Sequence, residues 1–440
     1  MKTGIKLKTC ALSINNTAKQ KSEHLKNNSC IRGYSETQTM KKIKQTLTLF
    51  LFIATINSFA QEEMKNWELK GYLTNMQSVQ FTDIKGAWLN DNLINNRLDF
   101  TWYPNDKWKF NTGLRNRIFT GESVKSIPDY GQLLIDSEQG WMNLSWNVID
   151  EQSVIMNMNI DRIYLQYETG NFSATVGRQR INWGKSYVWN PNDLFNAYSF
   201  FDFDYPEKPG SDAIRLQYYT GIASSVELAS KISTTDTDTL GNEENRYTLA
   251  ALWRFNKFNY DFQLMSGLYE NNELVIGAGW SGAIKNMDFK GELSYLYPKD
   301  NMKDTSGQFI ASISMGYMFP STLNLQFEFL YTDIPANGIT NFYQYYYLPL
   351  SVKTLSFTEY NLFAQASYQI TPLFTATFAG MYYPKIKGYY IGPSFDYSFT
   401  DNLFTSIVIQ TFSGETPNPI TGEKIRDNTS FAFLRLKWSF

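Results

Sequence analysis

Apolar and polar residues alternate strictly over much of this chain. Residues 323–331 read LNLQFEFLY, with Leu323, Leu325, Phe327, Phe329 and Tyr331 on one face and Asn324, Gln326 and Glu328 on the other. Residues 287–295 (MDFKGELSY) and 258–264 (FNYDFQL) repeat the pattern. A side-chain period of two marks β-strands with one apolar and one polar face. Eighteen such segments fall near 66–80, 92–103, 107–119, 159–168, 172–179, 213–219, 222–231, 246–255, 258–268, 272–282, 287–297, 308–319, 323–332, 358–370, 373–383, 388–398, 402–412 and 429–440.

The connections carry a second periodicity. Every other one is tiny, as at 104–106, 169–171, 220–221, 256–257, 320–322 and 371–372. Those between are mostly longer, notably 120–158, 180–212, 232–245, 333–357 and 413–428. Tight turns at one end and long loops at the other are the polarity of an outer-membrane barrel, with the turns in the periplasm.

A soluble β-sandwich also alternates, so three further features decide. Aromatics gather at strand ends, as in Trp102-Tyr103, Tyr345-Tyr346-Tyr347 and Tyr382-Tyr383, like interfacial girdles. The last segment alternates Leu434, Leu436, Trp438 and Phe440 with Phe433, Arg435, Lys437 and Ser439, and ends on the aromatic. Residues 40–60 (MKKIKQTLTLFLFIATINSFA) run from lysines through an apolar stretch to Ser58-Phe59-Ala60, the order of a secretory signal. Its apolar part is too short to span a bilayer as a helix. The predicted fold is all-β: a transmembrane antiparallel β-barrel of about 18 strands, with 16 as the alternative count. The expected organisation is an upstream extension at 1–39, a signal peptide at 40–60 cut before Gln61, and one barrel at 61–440.

That boundary changes the available chemistry. Cys10, Cys30 and His24 all precede Met40, and residues 61–440 keep 30 Lys/Arg against 40 Asp/Glu. A chain without thiol or imidazole offers no disulfide, no Cys/His zinc site and no imidazole base. Its negative balance disfavours nucleic acid. No metal, cofactor or enzymatic role is expected. Gly277-Ala278-Gly279-Trp280-Ser281-Gly282 has dinucleotide-loop spacing but sits inside a strand with no helix after it. Residues 236–241 (DTDTLG) begin like a calcium loop, but Leu240 and Tyr247 stand where ligands are needed.

The most distinctive stretch is Gly177-Arg178-Gln179-Arg180-Ile181-Asn182-Trp183-Gly184, followed by Trp189-Asn190-Pro191-Asn192-Asp193-Leu194-Phe195-Asn196. Together with the C-terminal Phe440, it resembles a porin-like outer-membrane β-barrel family of Gram-negative bacteria. The terminal Trp438 and Phe440 resemble the signal read by barrel-assembly machinery. The resemblance implies a channel and no particular solute. The expected partners are outer-membrane lipid, that machinery, small polar solutes and other copies of the chain.

The segment lies in the third long loop, 180–212, which carries Asp193, Asp202, Asp204, Glu207 and Asp212. Strand parity turns Arg97, Lys109, Arg115, Arg117, Arg162 and Arg215 inward, and turns Arg178 outward unless a bulge or strand end reverses it. The expectation is that the loop enters the lumen, its acids face those cations across a constriction, and Trp183, Trp189 and Phe195 pack it to the wall. Its structural alternative is a set of ion pairs that only fix the loop. The expected function is passive diffusion of small polar solutes. The rivals are a barrel that moves a polymer or hydrophobic compound, and a structural or adhesive barrel.

Overall fold

The computed structural model describes residues 66–135, 140–234, 245–299, 306–334, 345, 350–417 and 423–440. The expectations for 1–60, the start at Gln61, the 236–241 loop and Tyr346-Tyr347 lie outside the described residues. Among the described residues, nineteen strands form one antiparallel sheet. They are β1 (Trp67–Phe81), β2 (Leu89–Asn105), β3 (Trp108–Gly121), β4 (Ser145–Glu151), β5 (Val154–Thr169), β6 (Phe172–Gln179), β7 (Ser211–Gly221), β8 (Ser224–Thr234), β9 (Asn245–Lys257), β10 (Tyr260–Tyr269), β11 (Glu273–Ile284), β12 (Met287–Pro298), β13 (Gln308–Met318), β14 (Asn324–Thr332), β15 (Tyr360–Thr371), β16 (Phe374–Tyr383), β17 (Gly388–Thr400), β18 (Leu403–Pro417) and β19 (Lys424–Ser439).

β19 pairs with β1 from Tyr72↔Ser439 to Phe81↔Ser430, so the sheet closes on itself. At the seam Gly71 and Phe440 exchange both backbone hydrogen bonds at 2.9 Å. A Cβ on Gly71 would come within 2.8 Å of the Phe440 ring, so the terminal aromatic lies over a residue with no side chain.

The barrel has eighteen staves because β4 and β6 share one position. The part of β5 nearest the long loops, 154–159, pairs with β4. The rest, 163–169, pairs with β6. β4 arises inside the 120–158 connection, which also holds a short helix, α1 (Glu122–Ser126). It fills the wall above the point where the chain leaves β6.

The faces are inverted relative to a soluble protein. On β14, Phe327 is 57% exposed and Phe329 is also exposed, while Glu328 between them is 2% exposed. Gln263, Glu292, Ser294, Ser312 and Ser314 are buried, while Leu264, Ile276, Leu362 and Leu434 are exposed. Each exposed large apolar side chain would forgo roughly 1.5–3 kcal/mol of transfer energy in water. A closed sheet with an outward apolar belt and no free edge satisfies a bilayer instead. This is a transmembrane β-barrel.

The buried apolar cluster lies inside it. Ile181, Trp183, Trp189, Leu194, Phe195 and Phe201 of the 180–212 connection pack on inward residues such as Leu252, Val275, Leu296, Ile310, Leu330 and Phe363. Apart from Leu252, which sits mid-strand, these inward apolar positions lie toward the long-loop ends of their strands.

Candidate functional site

The 180–212 connection touches the inward face of nearly every stave in turn. Trp183 Nε1 donates to Glu227 Oε1 of β8 at 2.7 Å, and its carbonyl accepts from Gln263 Nε2 of β10 at 2.7 Å. On β12, Glu292 Oε1 accepts the N–H groups of Lys185 and Ser186, and its Oε2 accepts that of Asn192 at 2.8 Å. On β14, Glu328 accepts the N–H groups of Tyr187, Val188 and Trp189 at 2.8, 3.1 and 2.6 Å. Phe200 then packs on Phe363 of β15, and Phe201 on Tyr390 of β17 and Phe412 of β18. Phe203 packs on Phe433 of β19, and Asp204 Oδ2 accepts from Asn95 Nδ2 of β2 at 3.4 Å. Glu207 Oε2 accepts from Tyr72 of β1 at 3.0 Å. A segment that contacts staves all round a closed barrel lies within its lumen. Residues 180–210 hold about 100 Å of extended chain, enough to travel round the inside of the wall.

Local sequence explains this path. Asn190-Pro191-Asn192-Asp193 is a turn with proline second, closed by the Asp193 N–H on the Asn190 carbonyl at 3.1 Å. The loop crosses itself at Gly184, where a Cβ would sit 2.3 Å from Asn190 Oδ1. Asn196 ties the base, with Oδ1 accepting from the Ile181 N–H at 2.8 Å and Nδ2 donating to the Pro209 carbonyl at 2.9 Å. Trp183 meets Phe195 edge-on at 4.9 Å, and Trp189 meets Phe363 at 6.4 Å.

The arginines divide into several environments. Arg97 is 1% exposed and is held by wall acids, Asp99 at 2.7 Å and Asp161 at 2.5 Å. Loop Glu207 lies 3.9 Å from it. Arg162 donates to the Glu207 and Lys208 carbonyls at 2.7 and 2.6 Å. Arg215 pairs with Glu227 of the wall at 2.7 Å. Arg115 lies 3.8 Å from loop Asp204 and 4.0 Å from the Tyr205 ring centre. Arg117 donates to Asn157 Oδ1 at 2.7 Å and to the Ile135 carbonyl at 3.2 Å. Lys109 stands opposite Gln166 near the tight-turn end of β3. Asp161 is the extra residue of a bulge opposite Gly113 and Leu114.

Two expectations need correction. Asp193 does not face the wall arginines. It is fully buried beneath the loop, accepts the Trp183 N–H at 3.3 Å, and burial pushes its carboxyl up to about 7. Asp212 belongs to β7 and pairs with Arg178 at 2.7 Å, both buried in the wall. Neither can line a solvated path. Arg178 stays off the surface because the end of β6 is covered by residues 140–142, whose Met142 carbonyl accepts its Nη2 at 2.6 Å.

Two cavities adjoin the returning limb of the loop, both against the wall that runs from β19 through β1 to β7. One, of about 370 Å³, is lined by Arg97, Arg162, Arg180 and Arg215 against Asp99 and Glu207, with neutral polar groups. The other, of about 400 Å³, is lined by Arg115, Arg117 and Lys208 against Asp202 and Asp204, with aromatic and apolar groups. They adjoin where Arg97 and Arg115 are register partners. Tyr205, donating to Asp161, and the Tyr72–Glu207 pair stand at that divide.

Fold and lumen together define a transmembrane β-barrel of the outer-membrane type. The chain matches no protein-family model and no curated protein by sequence. Among solved structures it is similar to Acinetobacter baumannii OccAB2, with 8% identity over 86% of this chain and 100% of that one, at a TM-score of 0.54. It is likewise similar to Acinetobacter baumannii OccAB1, with 11% identity, 88% and 99% coverage, and a TM-score of 0.53. The outer membrane protein opdK from Pseudomonas aeruginosa matches with 7% identity, 85% and 98% coverage, and a TM-score of 0.50. At these identities the likeness is one of fold.

Proposed function

We propose that this protein is an outer-membrane channel through which small polar solutes diffuse passively along the wall that runs from β19 through β1 to β7. The observation that carries the reading is the pair of cavities on that wall, divided where the 180–212 loop returns across it. On the opposite side, loop residues such as Trp183 and Trp189 are packed into apolar wall. The route left for water runs where the charges are. Arg97 and Arg215 are neutralised by Asp161 and Glu227, and of the rest Arg115, Arg117, Arg162, Arg180 and Lys208 outnumber Asp99, Asp202, Asp204 and Glu207 by one, so the constriction slightly favours anions over cations of equal size.

The same reading assigns Trp438 and Phe440 to recognition by barrel-assembly machinery, with the ring seated over Gly71. The test is swelling of liposomes that contain the purified protein. Entry of small neutral sugars, with rate falling as solute size rises, supports passive diffusion. Impermeability of liposomes holding fully folded protein rejects it.

A further inference from the structure

The arginines of the wall are not equally satisfied. Arg97 grips Asp99 through two N–H groups at 2.7 and 2.8 Å. Arg215 does the same with Glu227 at 2.7 and 3.0 Å, and Arg178 with Asp212 at 2.7 and 2.8 Å. Arg115 and Arg117 of β3 differ. Arg115 Nε reaches only the neutral Asn95 Oδ1 at 3.4 Å, and its Nη2 stands 3.8 Å from Asp204, beyond hydrogen-bond distance. Arg117 Nη2 donates to Asn157 Oδ1 and the Ile135 carbonyl, both neutral, and its Nε is buried with no partner. Among the described residues no carboxylate pairs with Arg117.

Both guanidiniums belong to one cavity. They lie two residues apart on one strand, so their side chains share a face and start about 7 Å apart. Both line the cavity of about 400 Å³, a volume in the range of small-molecule sites. Arg117 is near the Gly121 end of β3, so this is the cavity on the long-loop side, the first that a solute from outside meets. The rest of the lining is largely apolar, with Met76, Leu93, Phe203, Leu350 and Phe433. Phe119 adds a ring whose centre lies 5.4 Å from the Arg117 guanidinium.

Two acids share the cavity, and neither closes it to an anion. Asp202 is exposed, so water and salt screen it. Asp204 is buried and its Oδ1 has no partner. Burial raises its carboxyl above the usual carboxylate range. Beside a bound anion it therefore takes up a proton, and the resulting hydroxyl donates. Lys208 supplies a third positive charge to the same lining.

We propose that this cavity binds a small aromatic phosphate monoester, with the phosphate on Arg115 and Arg117 and the ring among the phenylalanines. A carboxylate has two oxygens and is filled by one guanidinium, as Asp99 is by Arg97. Two neighbouring guanidiniums without acid partners present more N–H donors than one carboxylate accepts. A phosphate monoester brings three terminal oxygens and nearly two negative charges, and shares them between both arginines. The inference rests on the channel reading, since it names the class of solute that enters.

The test is titration calorimetry of the folded protein in detergent at about pH 8, where the ester is a dianion. The probes are phenyl phosphate, benzoate and inorganic phosphate. Wild type is expected to bind one phenyl phosphate per chain, roughly tenfold or more tighter than either of the others. Arg117→Met, with folding checked by heat-modifiable gel mobility, is expected to lose at least that factor for phenyl phosphate. No binding of phenyl phosphate to wild type, equal affinity for benzoate, equal affinity for inorganic phosphate, or unchanged affinity in Arg117→Met would each overturn the proposal. The comparison of probes on wild type decides even if the variant does not fold. Current in a planar bilayer is read separately. Binding by a barrel that passes no current supports the site and rejects the channel; current without binding does the reverse.

Discussion

Arg178 and Asp212 face each other where the chain leaves the barrel wall and where it rejoins it. Arg178 Nε donates to Asp212 Oδ1 at 2.7 Å and Nη2 to Oδ2 at 2.8 Å. The pair also holds the edge of the covering segment: Met142 N–H donates to Asp212 Oδ2 at 2.9 Å, and the Met142 carbonyl accepts from Arg178. The ends of β6 and β7, the root of the lumen loop and the approach to β4 are thus tied at one point. Replacing Asp212 by Asn leaves a buried arginine without its counter-charge, at a cost of about 3–5 kcal/mol. The expected result is a lower urea midpoint and faster proteolysis within 122–151. An unchanged midpoint and digestion pattern would count against this role.

The loop is held by two wall carboxylates more than by its own acids. Glu292 and Glu328 each accept three backbone N–H groups from residues 185–192. Hydrogen bonds of this kind contribute about 0.5–1.5 kcal/mol each. E328Q keeps one strong acceptor oxygen in place of two. Hydrogen exchange at Tyr187, Val188 and Trp189 is expected to quicken by roughly tenfold to a hundredfold, as the loop opens more often. Unaltered exchange rates would show that the apolar contacts alone fix the loop.

Selectivity depends on charges beside the cavities and not on those under the loop. Arg115→Ala/Arg117→Ala is expected to move the reversal potential in a salt gradient toward cation preference. Asp202→Asn/Asp204→Asn is expected to move it further toward anions. Asp193→Asn is expected to leave it unchanged. Equal potentials in wild type and both double variants would remove these groups from the permeation path.

Asp193 gives the loop a pH dependence of definite sign. Its folded-state carboxyl is raised by burial to about 7 from 3.8, so the folded protein holds a proton that the unfolded chain releases. Stability from this group is present at low pH and lost as pH rises from about 4 to about 7. After correction for intrinsic rates, exchange of the Ile181 and Trp183 amides is expected to be slower at pH 5 than at pH 8. Asp193→Asn should abolish the difference. A difference that persists in that variant would place its origin elsewhere.

The staves could be read because lipid outside and polar lumen inside impose a strict period of two. Sixteen of the eighteen predicted segments start within three residues of their strands; the exceptions are β5 and β19, which begin five residues earlier, at Val154 and Lys424. β4 escaped notice because SWNVIDE is short, sits in a long connection and shares its stave with β6. Parity told which side chains point inward but not which meet the loop. Glu227, Glu292 and Glu328 look like any other lumen residue until the backbone of 183–192 is placed against them. Asp193 looked like a loop acid because the turn that buries it depends on long-range contacts with Trp183 and the wall.

The most direct test of the channel account is single-channel current from the refolded protein in a planar bilayer. The account predicts discrete, ohmic steps with anion preference, and larger steps for the Glu292→Gln/Glu328→Gln variant, whose loop is less firmly held. A folded, inserted barrel that passes no current in either form would contradict it.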